Sequence, residues 1–231
     1  MAITTVLAQS IRPECFGQYE EAVRQLAERA VTKKDPLHWG AYQTAFGDLG
    51  MIFYTTTAQD WAEIAKRGTT EELAIRVLGE KEGRKLVADL RECVQSATQT
   101  VSVDRADLSY TQDTATGPSP FAVVTAVRVR PDGQEAFEEF LRKMAEAIPK
   151  VDEPAQIMTR QIVIGNLREY RVVRPISDLA QLDAQRQPAD LLTKAFGPAE
   201  GGLFHRTGLA AIEWVERRIV AYRLDLSNPA R

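Results

Sequence analysis

The chain has 231 residues, 44% of them hydrophobic and 26% charged, with 29 Lys and Arg against 32 Asp and Glu for a net charge of -3. These values suit a globular protein with a sizeable core; no Lys/Arg block offers itself to phosphates, which excludes nucleic acid as an expected partner, and no apolar run approaches the roughly 18 residues of a membrane span. Met1 to Leu7 lacks a basic region ahead of an apolar stretch and Cys15 and Cys93 are the only cysteines, so the expectation is a cytoplasmic protein with free, buried thiols.

From the N-terminus, Ile3 to Ile11 is mostly β-branched and apolar and runs into Arg12-Pro13, where the missing proline N–H ends a ladder, so a first strand is expected. Phe16, Tyr19, Val23, Leu26 and Ala30 then recur at helical spacing and predict an amphipathic helix. A polar loop with Pro36 leads to a second strand, Trp39 to Phe46. Gly47-Asp48 suits a two-residue hairpin turn, because glycine accepts positive φ, and Met51 to Thr56 forms the third strand. Asp60 stands in the first turn of a helix, where a carboxylate favours the exposed amides. A short helix from Glu71 to Leu78 breaks at Gly79, a longer one runs from about Lys81 to Ala97, and Thr100 to Arg105 makes the fourth strand.

The same order then repeats. Residues 3–109 lie over 121–227 at a constant offset of 118 without insertion, identical at 23 of 107 positions. The matches include Arg12-Pro13 over Arg130-Pro131, Glu20-Glu21 over Glu138-Glu139, Gly47 over Gly165, Asp60 over Asp178 and Gly79 over Gly197. The closing Arg105-x-Asp107-Leu108-Ser109 recurs as Arg223-x-Asp225-Leu226-Ser227. A repeat of this kind outranks any local signal for architecture. The first helix in this copy carries Phe137, Phe140, Leu141 and Met144, and its last helix and strand are expected at Ala199 to Val215 and Arg218 to Arg223. Tyr110 to Pro120 is rich in Thr, Pro and Gly without apolar period and reads as a connection. The expected organisation is a first repeat at 1–110, a linker at 111–120 and a second repeat at 121–231.

The order βαββαβ in each repeat gives an α+β protein of two tandem ferredoxin-like units, each a four-stranded antiparallel sheet with helices on one face. The other sheet face would stay bare unless covered, and two copies cover each other. On this element order and repetition the chain resembles the dimeric α/β-barrel superfamily, which includes antibiotic-biosynthesis-monooxygenase-like proteins. The resemblance implies a pseudo-dimeric α/β barrel inside one polypeptide, with a further homodimer left open. It also implies a pocket between the sheet and its helices or at the mouth of the barrel. The superfamily holds cofactor-free monooxygenases acting on polyketide-like phenols, haem-degrading and haem-dependent enzymes, lactone isomerases and small-ligand sensors, so fold alone does not choose among them.

Histidine is the natural place to look for acid/base work. His38 overlies Gln156 and His205 overlies Val87, so neither is matched in the other repeat. His38 precedes the second strand beside Trp39, with Tyr42 and Tyr54 on the hairpin, and these give an aromatic pocket in which His38, Tyr42 and Tyr54 are the catalytic candidates, His38 as base. Trp39, Trp61, Arg160, Tyr170 and His205 are the candidate substrate contacts; the same aromatics also suit ordinary core packing, and the arginines suit local ion pairs. Glu20-Glu21 and Glu138-Glu139 are expected on a solvated helix side without catalytic role. No His/Cys/Asp/Glu spacing suggests a metal, and no cofactor is expected.

Three functions follow. The first is a cofactor-independent monooxygenase or isomerase acting on an aromatic or polyketide-like molecule. The second is a non-catalytic small-ligand-binding or stress-associated protein. The third is a haem-binding or haem-degrading protein. The partner expected in the first two is a small apolar or aromatic molecule.

Overall fold

The structure is a computed structural model that describes residues 2–111 and 117–230. Most of the linker expected at 111–120 therefore lies outside the described residues. By contacts the chain forms two compact units, Met1–Val101 with Ala221–Arg231, and Ser102–Val220.

The first unit is built from β1 (Ile3–Ile11), α1 (Phe16–Lys33), β2 (Gly40–Phe46), β3 (Met51–Ala58), α2 (Trp61–Ala65), α3 (Thr70–Leu78) and α4 (Glu80–Cys93). β4 (Val94–Asp104) follows, its final residues counting with the second unit. β1 and β2 both pair antiparallel with β3, with Leu7 opposite Tyr54 and Gly40 opposite Thr55. Alternation places Thr5, Leu7, Gln9, Tyr54 and Thr56 on one sheet face, the face that α1, α3 and α4 cover.

Local chemistry fixes the helix ends. Asp60 caps α2 by accepting from Glu63 N at 2.8 Å, and Thr69 and Glu72 exchange side-chain and backbone bonds in a capping box at the start of α3. Gly79, at φ 92°, turns α3 into α4. The two helices then approach so closely at Gly83 that a Cβ there would lie 2.7 Å from the backbone of Ala74.

The second unit repeats this list except at α2, where a 3-10 turn (Leu179–Leu182) capped by Asp178 replaces the helix expected there: β5 (Phe121–Val129), α5 (Gln134–Lys150), β6 (Met158–Ile164), β7 (Glu169–Ile176), α6 (Pro188–Phe196), α7 (Pro198–Ala210) and β8 (Ile212–Tyr222). Every strand begins and ends 118 residues after its counterpart. The left-handed residues Lys34 and Asp152, at φ 53° and 54°, obey the same offset. Hydrogen-bonded strand neighbours follow the order β1-β3-β2-β8-β5-β7-β6-β4, which closes as a barrel.

Three expectations need correcting. α4 stops at Cys93 rather than Ala97, and β4 starts at Val94 rather than Thr100; α7 and β8 shift in the same way, ending at Ala210 and starting at Ile212. The first half of β4 is largely exposed, so its residues lack the in-out alternation that marks a strand. Each hairpin connection spans four residues instead of two, with Gly47 and Gly165 at φ 124° and 123°.

The third correction concerns Glu20 and Glu138, which are not solvated. In the second unit Arg105 donates to Glu138 at 2.8 Å, to Gln161 at 2.8 Å and to Asp107 at 2.7 Å, while Ser109 Oγ accepts from Thr159 N at 2.9 Å. In the first unit Arg223 holds Glu20 and Gln43 and donates to Asp225 at 2.8 Å, and Ser227 Oγ accepts from Ala41 N at 2.9 Å. The Arg-x-Asp-Leu-Ser signature is therefore a clasp: its guanidinium fork ties the segment after β4 or β8 to the first helix and second strand of a unit.

Candidate functional site

In the first unit a cavity of about 650 Å³ lies between the sheet and its helices. Its walls are mainly apolar, with Leu7 from β1, Val23 and Leu26 from α1, Leu73 from α3, and Val87 and Leu90 from α4. Trp39 closes one side; its indole donates to Leu226 O at 2.8 Å, and its backbone pairs with Asn228. Such a volume with an apolar lining and a few polar groups is the usual form of a small-molecule site.

The polar groups are few and specific. Tyr19 of α1 and Tyr54 of β3 point into the cavity with their hydroxyls 2.8 Å apart, and Tyr19 donates to Gln9 Oε1. Burial raises the pKa of both phenols, Tyr54 further through the neighbouring Tyr19. Both are thus neutral at ordinary pH and act as hydrogen-bond partners. Thr5 Oγ1 is buried with no hydrogen-bond partner among the described residues.

At the other side Arg67 donates to Thr56 Oγ1 at 2.5 Å, to the Thr57 carbonyl, and to Glu63 at 3.2 Å. Glu71, the one carboxylate of the described lining, is held by Arg84 at 2.7 Å and Arg91 at 3.1 Å. The arrangement can bind an apolar body and orient a hydroxyl on it through Tyr54, whose own proton points to Tyr19 while Tyr19 donates to Gln9. It offers no unengaged base.

The residues expected from sequence fall in different places. Tyr54 and Trp39 line this cavity. His38 is exposed in the loop before β2 and is not among the lining residues; it lies near buried Asp35, which Arg76 binds at 2.6 Å. Tyr42 sits on the opposite face of β2, with its ring 5.3 Å from Tyr222. Trp61 is half exposed on α2.

In the second unit Arg160 pairs with Asp104 at 3.0 Å, and His205 lies 6.4 Å from the ring of Phe140. Tyr170 is fully buried, donates to Glu138 at 2.6 Å and meets the edge of Phe137 at 5.3 Å.

Sequence reasoning passed over Tyr19, Gln9, Thr5 and Arg67. A signal for the first two existed: Gln9, Tyr19 and Tyr54 are polar where the second repeat has Val127, Phe137 and Val172. Three polar replacements on one buried face, in one repeat only, set the floor of this cavity apart from its counterpart. In the second unit a ring packs at the position of Leu90. Gly208 stands where the first repeat has Leu90, and a Cβ on it would meet Phe140 at 2.4 Å.

No family model matches the chain, and no curated protein matches it. Solved structures do. A protein from Fusobacterium nucleatum named a putative monooxygenase aligns at a TM-score of 0.62 and 10% identity, over 96% of this chain and 92% of its own. One of the same name from Lactobacillus acidophilus gives 0.58 and 9% over 100% and 98%, and an anthrone oxidase-like protein gives 0.60 and 14% over 99% and 94%. The chain has the dimeric α/β-barrel fold. At these identities the likeness is one of fold, and the dimeric α/β barrel hosts more than one chemistry. Among the described residues no group of three His, Cys, Asp or Glu could hold a metal ion, and no helix is long and apolar enough to cross a membrane.

Proposed function

We propose that the first unit of this dimeric α/β-barrel chain binds a small, largely apolar molecule bearing a hydroxyl group. The observation that carries this is the 650 Å³ apolar cavity with the Tyr19–Tyr54 pair at its floor. The ligand's apolar body would lie against Leu7, Val23, Leu26 and Leu90, while its oxygen meets Tyr54.

The finer reading is that the ligand is an aromatic, polyketide-like substrate and the protein a cofactor-independent monooxygenase. The names of the fold neighbours support it, as does a cavity of about 650 Å³ with a mainly apolar lining. In such a reaction an activated CH2 becomes a carbonyl: one atom of O2 enters the substrate, and the other leaves as water with the two hydrogens. Tyr54 would accept a hydrogen bond from a substrate hydroxyl and so hold that oxygen in place. Oxygen uptake with an anthrone as substrate, on metal-free protein, tests it. No uptake from a chain that still binds the anthrone would remove the oxygenase reading and leave the binding one, which the lack of an unengaged base favours. Isomerisation, which needs such a base, finds less support.

Haem fits this cavity poorly. Its described lining has no His, Cys or Met, and its two tyrosines are bonded to each other. We also infer that the chain arose by tandem duplication of a ferredoxin-like unit, with repeats at 1–110 and 121–231.

A further inference from the structure

Cys15 and Cys93 are 78 positions apart in sequence and are the only cysteines of the chain. Cys15 is the residue before α1 and makes no side-chain cap bond, so its thiol is not committed to the helix end. Cys93 is the last residue of α4 and is buried. The chain brings them together: Arg12 N donates to Cys93 O at 2.9 Å, Cys15 N donates to Arg12 O at 3.0 Å, and Cys15 packs on the apolar cluster that contains Cys93. After burial, the neighbouring Cys15 is the next influence that pushes the Cys93 thiol up.

The second repeat gives an independent measure of how close these positions are. Gly133 and Ala211 stand where the first repeat has Cys15 and Cys93, with the same backbone bonds, Arg130 N to Ala211 O at 2.8 Å and Gly133 N to Arg130 O at 3.0 Å. A Cβ on Gly133 would lie 3.0 Å from Ala211 Cβ. Disulfide-linked residues have Cβ atoms roughly 3.5–4.5 Å apart; the second repeat is closer still, so that only glycine fits at 133, and the first repeat holds the same backbone bonds at 2.9 and 3.0 Å with a side chain at both positions.

We propose that Cys15 and Cys93 form a reversible disulfide in the folded chain, fastening the start of α1 to the end of α4. The site adjoins the cavity, since Val94 follows Cys93 and Tyr19 lies one turn after Cys15, but it does not depend on what the cavity binds. The half-exposed Cys15 thiol attacks the S–S bond of a disulfide oxidant such as oxidised glutathione and releases one thiol; Cys93 then attacks the Cys15 sulfur and releases the second. Two protons and two electrons leave the protein, and the oxidant is reduced to two thiols. Burial pushes the Cys93 thiol up to about 11, so once bonded it is a poor leaving group.

The test uses the full chain, reduced, freed of reductant and exposed to oxidised glutathione without denaturant. The expected result is a fall from two free thiols to none, a mass lower by about 2 Da with no retained glutathione, and a urea midpoint above that of the reduced protein. Cys15→Ser and Cys93→Ser should each keep a chain that cannot make the link. Two thiols left after oxidation, a glutathione adduct on Cys15 that never resolves, or a link between two chains would overturn the proposal.

Discussion

Tyr19 and Tyr54, 35 residues apart, meet hydroxyl to hydroxyl at 2.8 Å on the floor of an otherwise apolar cavity, and Gln9 accepts from Tyr19. Burying two phenols and an amide is costly unless each is paired, and here they pair with one another while Tyr54 still faces the cavity. Removing the outer hydroxyl should therefore cost binding more than stability. Tyr54→Phe is expected to weaken uptake of a hydroxylated aromatic about 3- to 10-fold, the worth of one net hydrogen bond, and to leave its deoxygenated analogue unchanged, as read by calorimetric titration.

Cavity volume is the second handle. Val87 is buried on α4 and lines the space. Val87→Phe should project a ring into it, much as the Phe140 ring packs at Gly208 in the second unit, and reduce ligand affinity at least about 10-fold. The thermal midpoint should stay near that of the parent; a large drop would mean that the space is not available for a ring.

His38 is exposed and does not line the cavity. His38→Ala is accordingly expected to bind the same ligands within about 2-fold of the parent. A loss of turnover on an identified substrate, with binding intact, would restore it as the base expected from sequence.

Acid stability should report the Arg105 clasp. Bonds from Arg105, then Tyr170, hold the Glu138 carboxyl at about 2 despite its burial. An unfolded glutamate titrates near about 4.3, so this lowered group contributes stability that is full above roughly pH 5 and fades as pH falls towards 2. Partial exposure of the pair limits the contribution to about 2 kcal/mol. Urea unfolding at several pH values should show Glu138→Gln less stable at pH 7 and less sensitive to acid across that window.

Gly83 is a point of backbone contact. With Ala74 backbone 2.7 Å from where its Cβ would stand, Gly83→Ala must push α3 and α4 apart. The expected cost is about 1–3 kcal/mol in chemical denaturation, while alanine at exposed Gly17, where a Cβ meets nothing within 4 Å, should be neutral or stabilising.

The sequence by itself determined the element order, the 118-residue offset and the glycine positions, because β-branched runs, helical apolar spacing and the demand for positive φ are local properties of the chain. It also carried, unread, the polar replacements at Gln9, Tyr19 and Tyr54. Only the tertiary structure decided that these three side chains share one cavity with Trp39 while His38 and Tyr42 lie outside it. A strand sends alternate residues to opposite faces, so neighbours in sequence part company, and α1 meets β3 only through packing. The Arg105 and Arg223 clasps were equally hidden: their partners Glu138 and Glu20 look solvated until the segments after β4 and β8 lie against them.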